Sequence, residues 1–182
     1  MADGCLAPDG KGKKGFRLML ECKTEDREIL EKFCEFLNIR KDRITSGHQG
    51  ASVALSMSEN NFTISPRIYG IVPNKSHVEN HLPEIMKENE KLFFQYFKGL
   101  VDGDGTICTQ YGAKGVMLVG NSKTLLEEIK TELTKYIPEP SSIWIMEKTK
   151  EHQQGKNATQ SLFVLKVGTG LKDFSNLRYI YN

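Results

Sequence analysis

Phe97-Lys98-Gly99-Leu100-Val101-Asp102-Gly103-Asp104-Gly105-Thr106-Ile107 is the stretch on which the reading of this 182-residue chain turns. Upstream of it, Pro83 suits the first turn of a helix. Ile85, Leu92, Phe93, Tyr96, Phe97 and Leu100 then supply an apolar surface at helical spacing up to Val101. That helix runs directly into Asp102 and Asp104. Acids at a helix C-terminus oppose the macrodipole, so two of them there point to a bound cation or another task. Gly99 and Gly103 lie four residues apart, on one helical face, where the missing side chains let a second helix come close. Two helix ends brought together, each with a carboxylate, suit divalent-metal chemistry on a phosphodiester: the metal polarises the phosphate and supplies hydroxide near neutral pH.

The rival for Asp102-Gly103-Asp104-Gly105-Thr106-Ile107 is a calcium loop with ligands at loop positions 3 and 5 and glycine at position 6. In that register positions 1 and 12 are Leu100 and Tyr111. Neither is a carboxylate, so the oxygen cage cannot be assembled, and the chain holds no second candidate loop.

Outward from the motif the chain repeats itself. Lys23-Thr24-Glu25-Asp26-Arg27-Glu28-Ile29 and Lys123-Thr124-Leu125-Leu126-Glu127-Glu128-Ile129 share Lys, Thr, Glu and Ile at an offset of 100, from 123 − 23. Asp3-Gly4 and Asp104-Gly105 correspond at an offset of 101, a one-residue difference that belongs in a hairpin turn. The turns are the glycine-rich segments Asp9 to Gly15 and Tyr111 to Gly115. Each copy therefore opens with Asp-Gly and a β-hairpin. An amphipathic helix follows, on Ile29, Leu30, Phe33 and Leu37 in one copy and on Leu125, Leu126, Ile129 and Leu133 in the other. A second strand pair closes each copy: Val53, Leu55 and Met57 with a partner at Phe62 and Ile64, then Ile143 to Met146 with Leu162 to Leu165.

With its helix, glycine spacing, acid and following hairpin, the stretch from Phe97 to Ile107 resembles the signature motif of the LAGLIDADG homing endonucleases. Met1-Ala2-Asp3-Gly4 resembles only the tail of that motif, which is the main departure from the family pattern. The resemblance implies an α+β fold of two pseudo-two-fold α-β-β-α-β-β-α halves, 1–82 and 83–182, whose two antiparallel sheets form a saddle on DNA. It implies a site-specific double-strand endonuclease that requires Mg2+ or another divalent metal, leaves 3′ overhangs and acts on a long target in intron homing. Asp3 and Asp104 would be metal ligands, each with a preceding backbone carbonyl, from Ala2 and Gly103. Gly99 and Gly103 would pack the motif helices. Lys166 on a late strand would stabilise charge at the scissile phosphate, and no counterpart for it is legible in the first copy. The alternative is a catalytically inactive nucleic-acid-binding protein of the same fold, such as an intron-splicing maturase. Two arrangements accommodate the truncated first motif. Either a helix is encoded upstream and the chain is a monomer of pseudo-dimeric halves, or the second-copy helix pairs with another chain in a homodimer.

Net charge of only +2 means that any DNA footprint is local. Lys11, Lys13, Lys14 and Arg17 in the first hairpin, and Gln110, Tyr111 and Lys114 in the second, make ribbons that fit a major groove. Arg17, Met19 and Glu21 alternate with Phe16, Leu18 and Leu20, giving a reading face opposite a packing face. Lys148 begins a polar loop, continued by Lys150, His152, Gln153, Gln154, Lys156 and Asn157, suited to phosphate contacts. Phe93, Phe94, Tyr96 and Phe97 read as core rather than as a stacking platform. His77 and His81, four apart, lack a third ligand by spacing. Cys5, Cys22, Cys34 and Cys108 contain no C-x-x-C pair, and the N-terminus has no apolar signal region, so the reading is a reduced, intracellular, unsecreted protein in which the Asn61, Asn74 and Asn157 glycosylation patterns are chance. No window reaches the roughly 18 apolar residues of a membrane span.

Overall fold

The computed structural model describes residues 4–8, 15–47, 50–58, 79–108, 115–137, 143–148 and 162–168. Packing groups them into two compact units, one of the described residues up to 58 and the other of those from 79 onward. In the first unit the order is β1 (Gly4–Pro8), β2 (Phe16–Lys23), α1 (Arg27–Phe36), β3 (Ile44–Ser46) and β4 (Ser52–Ser58). In the second it is α2 (Glu84–Glu88), α3 (Glu90–Asp104), β5 (Gly105–Cys108), β6 (Gly115–Gly120), α4 (Lys123–Thr134), β7 (Ile143–Lys148) and β8 (Leu162–Gly168).

Among the described residues each unit has one four-stranded antiparallel sheet, and the strand orders, β1-β2-β4-β3 and β5-β6-β8-β7, are the same. The two-residue side-chain period puts one face of each sheet under a helix and, among the described residues, leaves the other open. Leu6, Leu18, Leu55 and Met57 line the covered face of the first sheet, together with Leu30 and Cys34 of α1. Val116, Leu118, Ile143, Leu165 and Val167 do so in the second, against α3 and α4. Phe93 and Phe97 of α3 are fully buried, and Tyr136 stacks on Phe93, so the aromatic run is core. Among the described residues no helix is long and apolar enough to cross a membrane.

Three expectations are corrected. The strand paired beside Val53, Leu55 and Met57 is the short β3, with Ile44 opposite Leu55, and β4 also pairs with β2. The residues expected as its partner, Phe62 and Ile64, lie outside the described residues. Pro83 does not start a single helix reaching Val101: the chain extends at Asn89 (φ −135°, ψ 104°), ending α2, and the Asn89 side chain caps α3 by accepting from the Leu92 N–H at 3.1 Å. Ile29, placed on the core face of α1, is 62% exposed. The helices match in burial at an offset of 99, with Leu30 corresponding to Ile129, Cys34 to Leu133 and Leu37 to Tyr136. A slip of one residue turns a helix by about 100°, which carries Ile29 out of the core.

Candidate functional site

The end of α3 is shaped by packing on one side and openness on the other. Phe93, Phe97, Leu100 and Val101 anchor the helix, while Asp102 and Asp104 are exposed and Gly103 is half-buried. Gly105 closes the helix, its N–H bonded to Val101 O, and begins β5. A Cβ at Gly105 would lie 2.5 Å from Val101 O and 2.6 Å from Val101 Cα, closer than real Cβ atoms approach, so the glycine after Asp104 is a steric requirement of the helix-to-strand pivot. The pivot presents Asp104 at a defined point on a rigid element, as an exposed hard oxygen donor. Its carboxylate and the Gly103 carbonyl are the donor chemistry that magnesium or manganese takes, with water filling most of the remaining positions. Among the described residues no group of three or more His, Cys, Asp or Glu could hold a metal without such help. Asp3 and Ala2 lie outside the described residues.

At Gly99 a Cβ would meet nothing within 4 Å beyond its own helix, so among the described residues that face of α3 is open.

From the pivot a row of four residues crosses the open face of the second sheet. Thr106 of β5 lies opposite Met117 of β6, Met117 opposite Lys166 of β8, and Lys166 opposite Trp144 of the edge strand β7. Two strand spacings put the Lys166 Cα roughly 10 Å from that of Thr106, itself two residues beyond Asp104. Lys166 Nζ sits 5.9 Å from the Trp144 ring centroid, a cation–π arrangement. The matching row of the first sheet is Cys5, Met19 and Ser56. Leu118 and Leu20 both face the residue after the motif aspartate's position, and their partners on β8 and β4 are Leu165 and Leu55, so the position next along, Lys166, is Ser56 in the first unit. Only strand register reveals this.

Of the expected DNA-contacting residues, Arg17 and Met19 lie on the face of β2 away from the core, as the alternation requires, and both are half-buried. Arg17 Nε is buried without a hydrogen-bond partner among the described residues. Lys148 ends β7 and is exposed. Lys11, Lys13, Lys14, Gln110, Tyr111 and Lys114 fall outside the described residues, as do His77 and the loop that follows Lys148.

Glu128 of α4 is a structural hub that sequence reasoning missed. One carboxylate oxygen accepts the Leu82 N–H at 2.6 Å, and the other lies 3.3 Å from His81 Nδ1 and 3.5 Å from Lys87 Nζ. Burial pushes its pKa up, but the Leu82 N–H, His81 and Lys87 outweigh that and hold the carboxyl below its usual range. Beside it the Ser122 hydroxyl donates to Asn80 O at 2.8 Å. These bonds strap the segment that leads into α2 and α3 onto α4. His81 thus serves a carboxylate. Half-buried Tyr96 has its pKa pushed up to about 12, by desolvation first and by the Glu128 charge second.

No protein-family model matches the chain, and no curated protein matches it in sequence. Solved structures do. A doubly substituted variant of I-DmoI, bound to its target DNA nicked in one strand with manganese present, is 18% identical, with a TM-score of 0.51 over 98% of this chain and 88% of that one. The LAGLIDADG homing endonuclease I-LtrWI, bound to target DNA, is 11% identical, with a TM-score of 0.54 over 98% and 78%. I-GzeII, another in complex with its DNA target, is 10% identical, with a TM-score of 0.54 over 98% and 82%. At these identities the likeness establishes the fold: two four-stranded antiparallel sheets with helices, as in the LAGLIDADG homing endonucleases.

Proposed function

We propose that this chain is a site-specific DNA endonuclease that requires a divalent metal, hydrolyses both strands of a long duplex target and leaves 3′ overhangs. The observation that carries the reading is the pivot at Gly105, which presents the exposed Asp104 carboxylate from a buried helix, on a fold whose solved neighbours include complexes with target DNA. Asp104 and the Gly103 carbonyl would hold Mg2+ for the second half, and Asp3 with the Ala2 carbonyl for the first. Bound there, the metal supplies Lewis-acid polarisation of the phosphate and hydroxide near neutral pH.

The chain's own residues do the rest. Lys166 stands on the open face of the second sheet, in the row that starts at Thr106, two residues beyond Asp104, where its cation would offset charge building on the phosphate. Arg17 and Met19 of β2, together with Lys11, Lys13, Lys14, Gln110, Tyr111 and Lys114, would read the major groove, and Lys148 would contact backbone phosphate. Gly99, where a Cβ would meet nothing within 4 Å beyond its own helix, and Gly103 would leave one face of α3 smooth for a second motif helix.

A random-insert plasmid library treated with the protein and magnesium tests the reading. Linear products with a recurrent cut site are expected from the wild type and none from Asp104→Asn. No cut product, together with specific binding to an intron RNA, would establish the maturase alternative.

A further inference from the structure

Trp144 is the sole tryptophan of the chain, stands on the edge strand of the described sheet and is 39% exposed. Its ring lies under the Lys166 ammonium, and its backbone pairs with that lysine. An unbranched lysine on an open sheet face otherwise samples many rotamers, so an aromatic partner that holds the head group also fixes where the charge is delivered. Among the described residues the first unit has no such pair: Ser56 occupies the place of Lys166. We propose that Trp144 is a positioning residue for Lys166, holding its ammonium at the β7 end of the Thr106-Met117-Lys166 row on the open sheet face, and that the second unit thereby holds a charged row that the described residues of the first lack. This rests on the nuclease reading given above.

The test has two arms. Iodide, an anion, quenches an indole faster when a cation sits beside it, and neutral acrylamide does not share that preference. Lys166→Met is expected to lower iodide quenching of the Trp144 fluorescence about twofold with acrylamide quenching unchanged; equal iodide quenching in both proteins overturns the pairing. In the second arm, a plasmid carrying the site recovered from the library is cut by wild type, Trp144→Phe, Trp144→Leu, Lys166→Met and the Trp144→Leu/Lys166→Met double variant. Trp144→Leu is expected to slow the saturated rate about three- to tenfold with little change in half-saturation. Trp144→Phe should restore most of the loss, and the double variant should cut no more slowly than Lys166→Met. A Trp144→Leu protein that cuts like wild type, or losses that multiply in the double variant, overturns the positioning role while the nuclease reading stands. A wild type that cuts nothing in the library overturns both, whatever iodide reports.

Discussion

Glu128 offers a test of how the segment entering α3 is held. Its side chain is about one quarter exposed, and its strongest partner is a backbone N–H at 2.6 Å, a charge-assisted bond. Such bonds contribute about 1.5–3 kcal/mol, and the flanking His81 and Lys87 pairs add less because those partners reach solvent. Glu128→Gln keeps an acceptor for Leu82 but loses the charge, so a loss of about 1 kcal/mol is expected. Glu128→Ala leaves the N–H unpaired and should cost about 2 kcal/mol. For a chain of this size those losses lower Tm by roughly 2–4 °C and 4–8 °C. Because the folded pKa is depressed, the charge's contribution is complete above the unfolded carboxyl pKa and disappears as pH falls through the folded one. Thermal melts followed by circular dichroism should therefore separate wild type from Glu128→Gln at about pH 7 and narrow the gap as pH falls through the depressed folded pKa of Glu128. A gap of the same size at both ends of that pH range, or an Ala variant melting with the wild type, refutes the assignment of Glu128 as the strap.

Gly105→Ala should destabilise by about 2–3 kcal/mol, read by urea denaturation, since its methyl meets Val101 backbone rather than a side chain that can swing away. In the same plasmid assay it should also slow cleavage, because relief of the clash moves Asp104. Asn89→Ala removes the α3 cap and should cost about 1 kcal/mol, with Asn89→Asp close to wild type. Asp104→Asn should abolish cutting while leaving Tm within about a degree or two, since the exposed carboxylate has no packing role.

The α3 helix, its run into Asp102-Gly103-Asp104-Gly105 and the hairpins were legible because caps, turns and amphipathic spacing are properties of neighbours along the chain. Asn89 was legible in principle, as a capping residue three before Leu92, but the apolar spacing across it suggested one continuous helix. β3 is not legible in the sequence because three residues carry too little alternation to stand out. Trp144 is legible in the sequence only as part of a strand, and nothing local to Glu128 marks it as a hub, since its partners lie 41 to 47 residues away.

By itself, then, the sequence determined the repeated order of elements, the α+β class and the run of a helix into Asp104-Gly105, all of them consequences of local conformational preference. The tertiary structure alone decided which residues stand abreast. Ser56 takes the place of Lys166, Trp144 lies beneath that lysine, and the helices correspond at 99 rather than 100, because register is set by cross-strand hydrogen bonds and core packing between residues far apart in the chain.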